Sequence, residues 1–245
     1  MLDLEGFGHL LITGSWLTIK LAIVSLAIGM VFGIIGATAK LSSVWIFNRL
    51  ATMYTTVMRG IPELLMILFI YFGGTIILNK VLKSFGYTQH IDISPFAAGV
   101  AVLAIAFGAY ATEVLRMAIQ EIPTGQWEAA KAIGMNPIQT FFRIILPQVW
   151  ALALPGLGNL FLVLIKDTAL VSVVGLYDIM YYAKKGGEST AEPFTFYFAA
   201  ALIYLLITTV VTGAMIFLEK RANPAKQYSL KLKRMSDSHN IASVP

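Results

Sequence analysis

Five stretches of this chain are apolar over the length of a membrane crossing, and no other feature constrains its fold as much. A helix rising about 1.5 Å per residue needs about 20 predominantly apolar residues to cross the hydrocarbon core. Such stretches run over residues 10–39, 60–78, 95–117, 148–176 and 194–218. Within lipid every backbone N–H and C=O must find a partner inside the protein, and a continuous helix supplies them all. The expected fold is all-α: a polytopic membrane protein with about five transmembrane helices. Composition agrees, since 58% of the 245 residues are hydrophobic and only 13% are charged, against roughly a quarter charged in soluble domains. A water-soluble fold of this size lacks the interior to hide so much apolar surface. In the fourth stretch Pro155, Gly156 and Gly158 predict a kink or an offset start.

Lysine and arginine set the expected orientation. With the N-terminus outside, the cytoplasmic side receives Lys40, Arg49, Arg59, Arg116, Lys131, Arg143, Lys220, Arg221, Lys226, Lys231, Lys233 and Arg234. The outer side receives Lys80, Lys83, Lys184 and Lys185, and the leading segment carries Asp3 and Glu5. The net charge of +5 is thereby a signature of topology, and no nucleic-acid partner is expected. The chain divides into a transmembrane domain over 1–222 and a basic cytoplasmic tail over 223–245 that can rest on anionic membrane lipid. The opening MLDLEGFGHLL has neither a basic n-region nor a small-residue cleavage site, so no cleaved signal peptide is expected. Without cysteine there is no disulfide and no thiolate metal site. His9, His90 and His239 are too scattered to suggest a metal site.

The longest polar interruption, QEIPTGQWEAAKAIGMNPIQTFFRIILP over residues 120–147, falls on the cytoplasmic side. Its punctuation predicts two short helices. Thr124 is placed to cap the first and Gly134 to end it in a left-handed conformation. Asn136, Pro137 and Gln139 form a capping-box start for the second. Trp127, Ala130 and Ile133 share one face of the first helix, and Ile138, Phe141, Phe142 and Ile145 one face of the second. Those faces either fold onto the chain's own membrane helices or dock on another protein.

Glu128-Ala129-Ala130, then Gly134 after three intervening residues, then Ile144-Ile145-Leu146-Pro147, resembles the EAA loop of type I ABC importer permeases. Arg59-Gly60-Ile61-Pro62, Gly108 to Glu113 and Lys166 to Ser172 resemble further elements of the polar amino-acid subfamily. Glu63 after Pro62, and Phe194 after Glu192-Pro193, are similar to the branch for histidine, arginine, lysine and ornithine. The resemblance covers about Gly14 to Arg221. It implies a non-catalytic permease subunit that works with a second permease, favouring a different chain over a copy of this one. It also implies two ATPase subunits and an extracytoplasmic substrate-binding protein, in a bacterial inner membrane. No G-x-x-x-x-G-K-[ST] occurs, so the chain needs no cofactor of its own and ATP is left to the partners. The resemblance makes Trp127, Glu128, Ala129, Ala130, Lys131, Ile133 and Gly134 the elements that couple to the ATPase.

Ionisable residues inside a membrane call for a reason. Glu113 and Asp167 fall within crossings and Glu63 opens the second; all three are candidates to replace the water of a cationic amino acid. Each also has a structural alternative. Glu113 can pair with Arg116 at i,i+3, Glu63 can lie near Arg59, and Asp167 can neutralise a lysine of another helix. Lys20 and Lys166 can bind a carboxylate or extend to a membrane surface, and Tyr181-Tyr182 suits an interfacial belt. A permease for glutamine, glutamate or another polar amino acid is the alternative substrate class. A secondary transporter or channel would account for the crossings but leaves the loop unexplained, and no crossing carries the residues of an intramembrane protease.

Overall fold

The computed structural model describes residues 4, 6–87 and 89–222, and every regular element among them is helical. Five helices are long and apolar enough to cross a membrane: α1 (Gly8–Leu41), α3 (Glu63–Ser84), α4 (Pro95–Gln120), α6 (Pro137–Val174) and α8 (Pro193–Ala222). Three shorter ones join them: α2 (Trp45–Gly60), α5 (Thr124–Ala132) and α7 (Ile179–Thr190). The tail from residue 223, His239, Asp3 and Glu5 lie outside the described residues.

Two boundaries differ from expectation. The second crossing begins at Glu63, not at residue 60, because Ile61 (φ −109°, ψ 129°) and Pro62 (φ −58°, ψ 133°) are extended. A residue before proline is pushed out of helical geometry by the ring. The second loop helix is not separate: it runs without interruption from Pro137 into the fourth crossing. Departures from α geometry fall at Phe141–Ile145, where the helix widens to a π turn, and at Thr168–Val174, where it tightens to a 3-10 helix; Pro155 lies inside the α run between them. The widened turn stands directly before Pro147, whose ring would otherwise meet the carbonyl four residues back.

The core is the crossing of α1 on α4. Gly29, Gly33 and Gly36 face Phe107, Ala111 and Thr112, and a Cβ on Gly33 would stand 2.8 Å from that of Ala111. Small residues at this spacing let two backbones approach in lipid, where packing drives association. Thr112, fully buried, donates its hydroxyl to Gly108 O at 2.8 Å. One apolar cluster runs through α1, α4 and α6 and includes Leu21, Phe107, Leu115, Val149, Leu164 and Val171. A second joins Leu11, Ile179, Ala183 and Phe196 where α7 meets the first turns of α1 and α8. Leu205, Leu206, Val210 and Phe217 of α8 are exposed, which suits a surface whose solvent is hydrocarbon.

Asp178 caps α7, its Oδ1 accepting from Tyr181 N at 2.9 Å. The residue is fully buried and its Oδ2 has no hydrogen-bond partner. Burial pushes its carboxyl up to about 7, so the native state keeps a proton that the unfolded chain releases near pH ~4. The sign follows: this contribution to stability is complete below about pH 4 and is lost as pH rises toward 7. In detergent the thermal midpoint should fall from about pH 5 to about pH 7 and then level. Asp178→Asn, which keeps the cap acceptor and stays neutral, should flatten that slope; an unchanged slope would assign the dependence to other groups.

Candidate functional site

Between α3, α4 and α6 lies a cavity of about 240 Å³. One wall is the face of α4 carrying Leu103, Phe107 and Tyr110 at helical spacing; another is Leu160, Leu164 and Asp167 of α6. Glu63, the first residue of α3, closes the ring. The Asp167 carboxylate lies within electrostatic range of Glu63 and of its neighbour Lys166. Lys166 itself is exposed and is not part of the wall. A mainly apolar chamber with two carboxylates can take a small molecule whose positive charge replaces its hydration with their oxygens.

Glu113 is not in that chamber. Its Oε1 is hydrogen-bonded to Lys40 Nζ at the end of α1, and its Oε2 accepts from Arg116 Nε at 3.0 Å. Arg59 Nη1 of α2 stands 4.0 Å from Oε1. Arg116 also reaches Gln120 Oε1 at 2.5 Å. Glu113 therefore ties α1, α2 and α4 together. Of the three sequence candidates, the fold brings Glu63 and Asp167 to one cavity and places Glu113 in an ion cluster toward the loop end of α4. Lys20 lies over the Phe96 ring, 5.5 Å from its centroid. Tyr177, Tyr181 and Tyr182 pack edge to face around the start of α7, with centroids 4.6 Å and 5.7 Å apart for the pairs Tyr177–Tyr181 and Tyr181–Tyr182.

The loop carries its expected turn chemistry. Gly134 has φ +79°, its N–H donates to Lys131 O at 3.0 Å and that of Met135 to Ala130 O at 3.1 Å, the paired bonds of a Schellman ending. The Asn136–Gln139 capping box is complete. The cap of α5, however, is Pro123, and Thr124 is already helical; proline supplies the extended backbone of a cap without a side-chain bond. The apolar faces split. Ala130 and Ile145 are buried within the chain, whereas Ile133 is 76% exposed, Ile138 72% and Phe142 62%. Trp127, Glu128, Ala129, Lys131 and Gly134 are exposed as well. On the first face Ala130 alone is buried, and on the second Ile145 is buried and Phe141 partly so.

Residues 29–224 match the family described as binding-protein-dependent transport system inner membrane component. The chain is similar to the nopaline transport system permease protein of Agrobacterium fabrum, 45% identical over 89% of this chain and 93% of that one. It is also similar to the histidine/lysine/arginine/ornithine transport system permease protein HisQ of Escherichia coli, 42% identical over 94% and 98% respectively. A solved amino acid ABC transporter with histidines superposes with a TM-score of 0.74 at 35% identity, covering 86% of this chain and 94% of that one. The chain belongs to this family: it is a multi-pass permease subunit of an ABC importer for polar amino acids. It is non-catalytic, and ATP is hydrolysed by partner subunits.

Sequence reasoning assigned no role to Tyr110, although it falls in one of the family-like elements. The signal was available: Leu103, Ala106, Phe107 and Tyr110 recur at i, i+3, i+4 and i+7, one face of α4.

Proposed function

We propose that this subunit admits basic amino acids, such as arginine, lysine, histidine or ornithine, and that the cavity between α3, α4 and α6 is where it holds them. The observation that carries this reading is the convergence of Glu63 and Asp167 on one chamber. Relatives named for histidine, lysine, arginine and ornithine, and for arginine, support it; relatives named for nopaline and octopine widen the choice. The N-terminus lies outside and the C-terminus inside, as the lysine and arginine distribution favours. The exposed Trp127, Ile133 and the turn at Gly134 dock on the ATPase, and its closure moves the helices as a rigid body. A second, different permease completes the translocation path, and an extracytoplasmic binding protein delivers the substrate.

Asp167→Asn and Glu63→Gln preserve volume and remove charge. In proteoliposomes containing the whole importer, each should lower arginine uptake about tenfold, as loss of one charge-assisted hydrogen bond does. The amount of assembled complex should stay the same. Parental uptake by both variants would leave the carboxylates structural and move specificity to the binding protein or the second permease.

A further inference from the structure

An amino acid brings a carboxylate as well as an ammonium group, and a chamber presenting only Glu63 and Asp167 would attract one end and repel the other. The second end needs a cation. Arg59, in the last turn of α2, is not itself a wall residue but lies beside one: its guanidinium is 5.3 Å from the centroid of the Tyr110 ring, and Tyr110 is part of the cavity wall. Its charged neighbour among the described residues is Glu113 at 4.0 Å, the limit for an ion pair. Both Glu113 oxygens are held by nearer cations, Oε1 by Lys40 and Oε2 by Arg116 at 3.0 Å. One carboxylate cannot neutralise three cations, and Arg59 is the surplus one. Its side chain is 45% exposed against 13% for Lys40, so its guanidinium is the more accessible of the two cations. Gly60 and the extended pair Ile61-Pro62 then lead from Arg59 to Glu63, so a cation at the end of α2 and an anion at the start of α3 stand four residues apart in the chain. Neither Arg59 nor Lys166 is part of the wall itself, but the Arg59 guanidinium lies over the ring of a wall residue, Tyr110.

We propose that Arg59 is the carboxylate-binding residue of the substrate site, pairing through its planar fork with the α-carboxylate of an amino acid whose positive end meets Glu63 and Asp167. Tyr110 holds the guanidinium plane by stacking. The assignment rests on reading the cavity as the substrate site. It makes that site bipolar, so it selects for an intact amino acid rather than for any organic cation.

The test compares arginine with agmatine, which is arginine without its carboxylate, by equilibrium dialysis of the labelled compounds against the purified importer without binding protein. The parent should hold arginine about tenfold more tightly than agmatine, the scale of one charge-assisted pair. Arg59→Gln should erase the difference by weakening arginine alone, and Arg59→Lys should restore part of it, having the charge but not the fork. Glu63→Gln and Asp167→Asn should weaken both ligands. The Arg59 assignment is overturned if the parent shows no preference, if Arg59→Gln keeps it or loses both ligands equally, or if Lys166→Met removes it instead. In those cases the cavity reading stands as long as the Glu63 and Asp167 variants lose both ligands. If those two variants bind as the parent does, the cavity reading fails and the assignment of Arg59 fails with it.

Discussion

Gly134→Val should cut uptake by the assembled importer about tenfold or more, while the subunit inserts and folds as before. The backbone at Gly134 has φ +79°, where a β-branched residue carries strain of roughly 1–3 kcal/mol. A Cβ there meets nothing within 4 Å, so the penalty is conformational and not a clash. The chain can relieve it only by unwinding the Schellman turn, releasing Met135 N from Ala130 O and Gly134 N from Lys131 O. That changes the angle between α5 and α6 and displaces Ile133 and Trp127, the exposed apolar groups proposed to dock on the ATPase. A graded series separates strain from other causes: asparagine, which tolerates left-handed backbone, should be mildest, alanine intermediate and valine worst. The measurement is arginine uptake together with substrate-stimulated ATP hydrolysis, and a valine variant that couples the two normally would remove the loop from the transmission path.

The crossings are legible in the sequence because a membrane-length apolar run has few alternatives. The connecting helices are not. α2 mixes Trp45, Phe47 and Met53 with Asn48 and Arg49, too short and too polar to read as a crossing, and it is held by Tyr54 donating to Ile105 O at 2.7 Å across to α4. α7 contains Lys184-Lys185 and Gly186-Gly187, which read as a loop until the fold shows why the glycines are there. A Cβ on Gly186 would collide with the Phe196 ring and one on Gly187 with the Pro193 backbone, so the close approach of α7 to α8 requires them. The Asp178 cap was its available signal. The loop's turn at Gly134 and its capping box at Asn136 were legible because capping and left-handed turns are local, whereas the cap at Pro123 and the run of the second helix into the crossing were not. The site was legible only as a set of unusual charges. Nothing local distinguishes Glu63 and Asp167, which meet through the packing of distant helices, from Glu113, which does not join them.

That distinction gives Glu113 a different expected phenotype from the cavity carboxylates. Glu113→Gln should lower the stability and abundance of the subunit without altering its preference among amino acids. The side chains of Glu113 and Lys40 are each only 13% exposed, and Lys40 has no other acidic partner among the described residues. Removing one member of a buried pair costs about 3–5 kcal/mol because the other charge is left uncompensated. Partial exposure here places the expected loss toward or below the lower end of that range. Arg116 retains Gln120, and Arg59 retains the Tyr110 ring, so Lys40 is the charge left in an apolar setting. Replacing it as well, in Lys40→Met/Glu113→Gln, should therefore recover much of the stability lost by the single variant. Thermal midpoints of the purified subunit, and a double-mutant cycle built from them, measure the coupling. Uptake by Glu113→Gln should fall only in proportion to the folded subunit in the membrane. A shift in affinity for arginine at normal abundance would instead bring Glu113 into the substrate path.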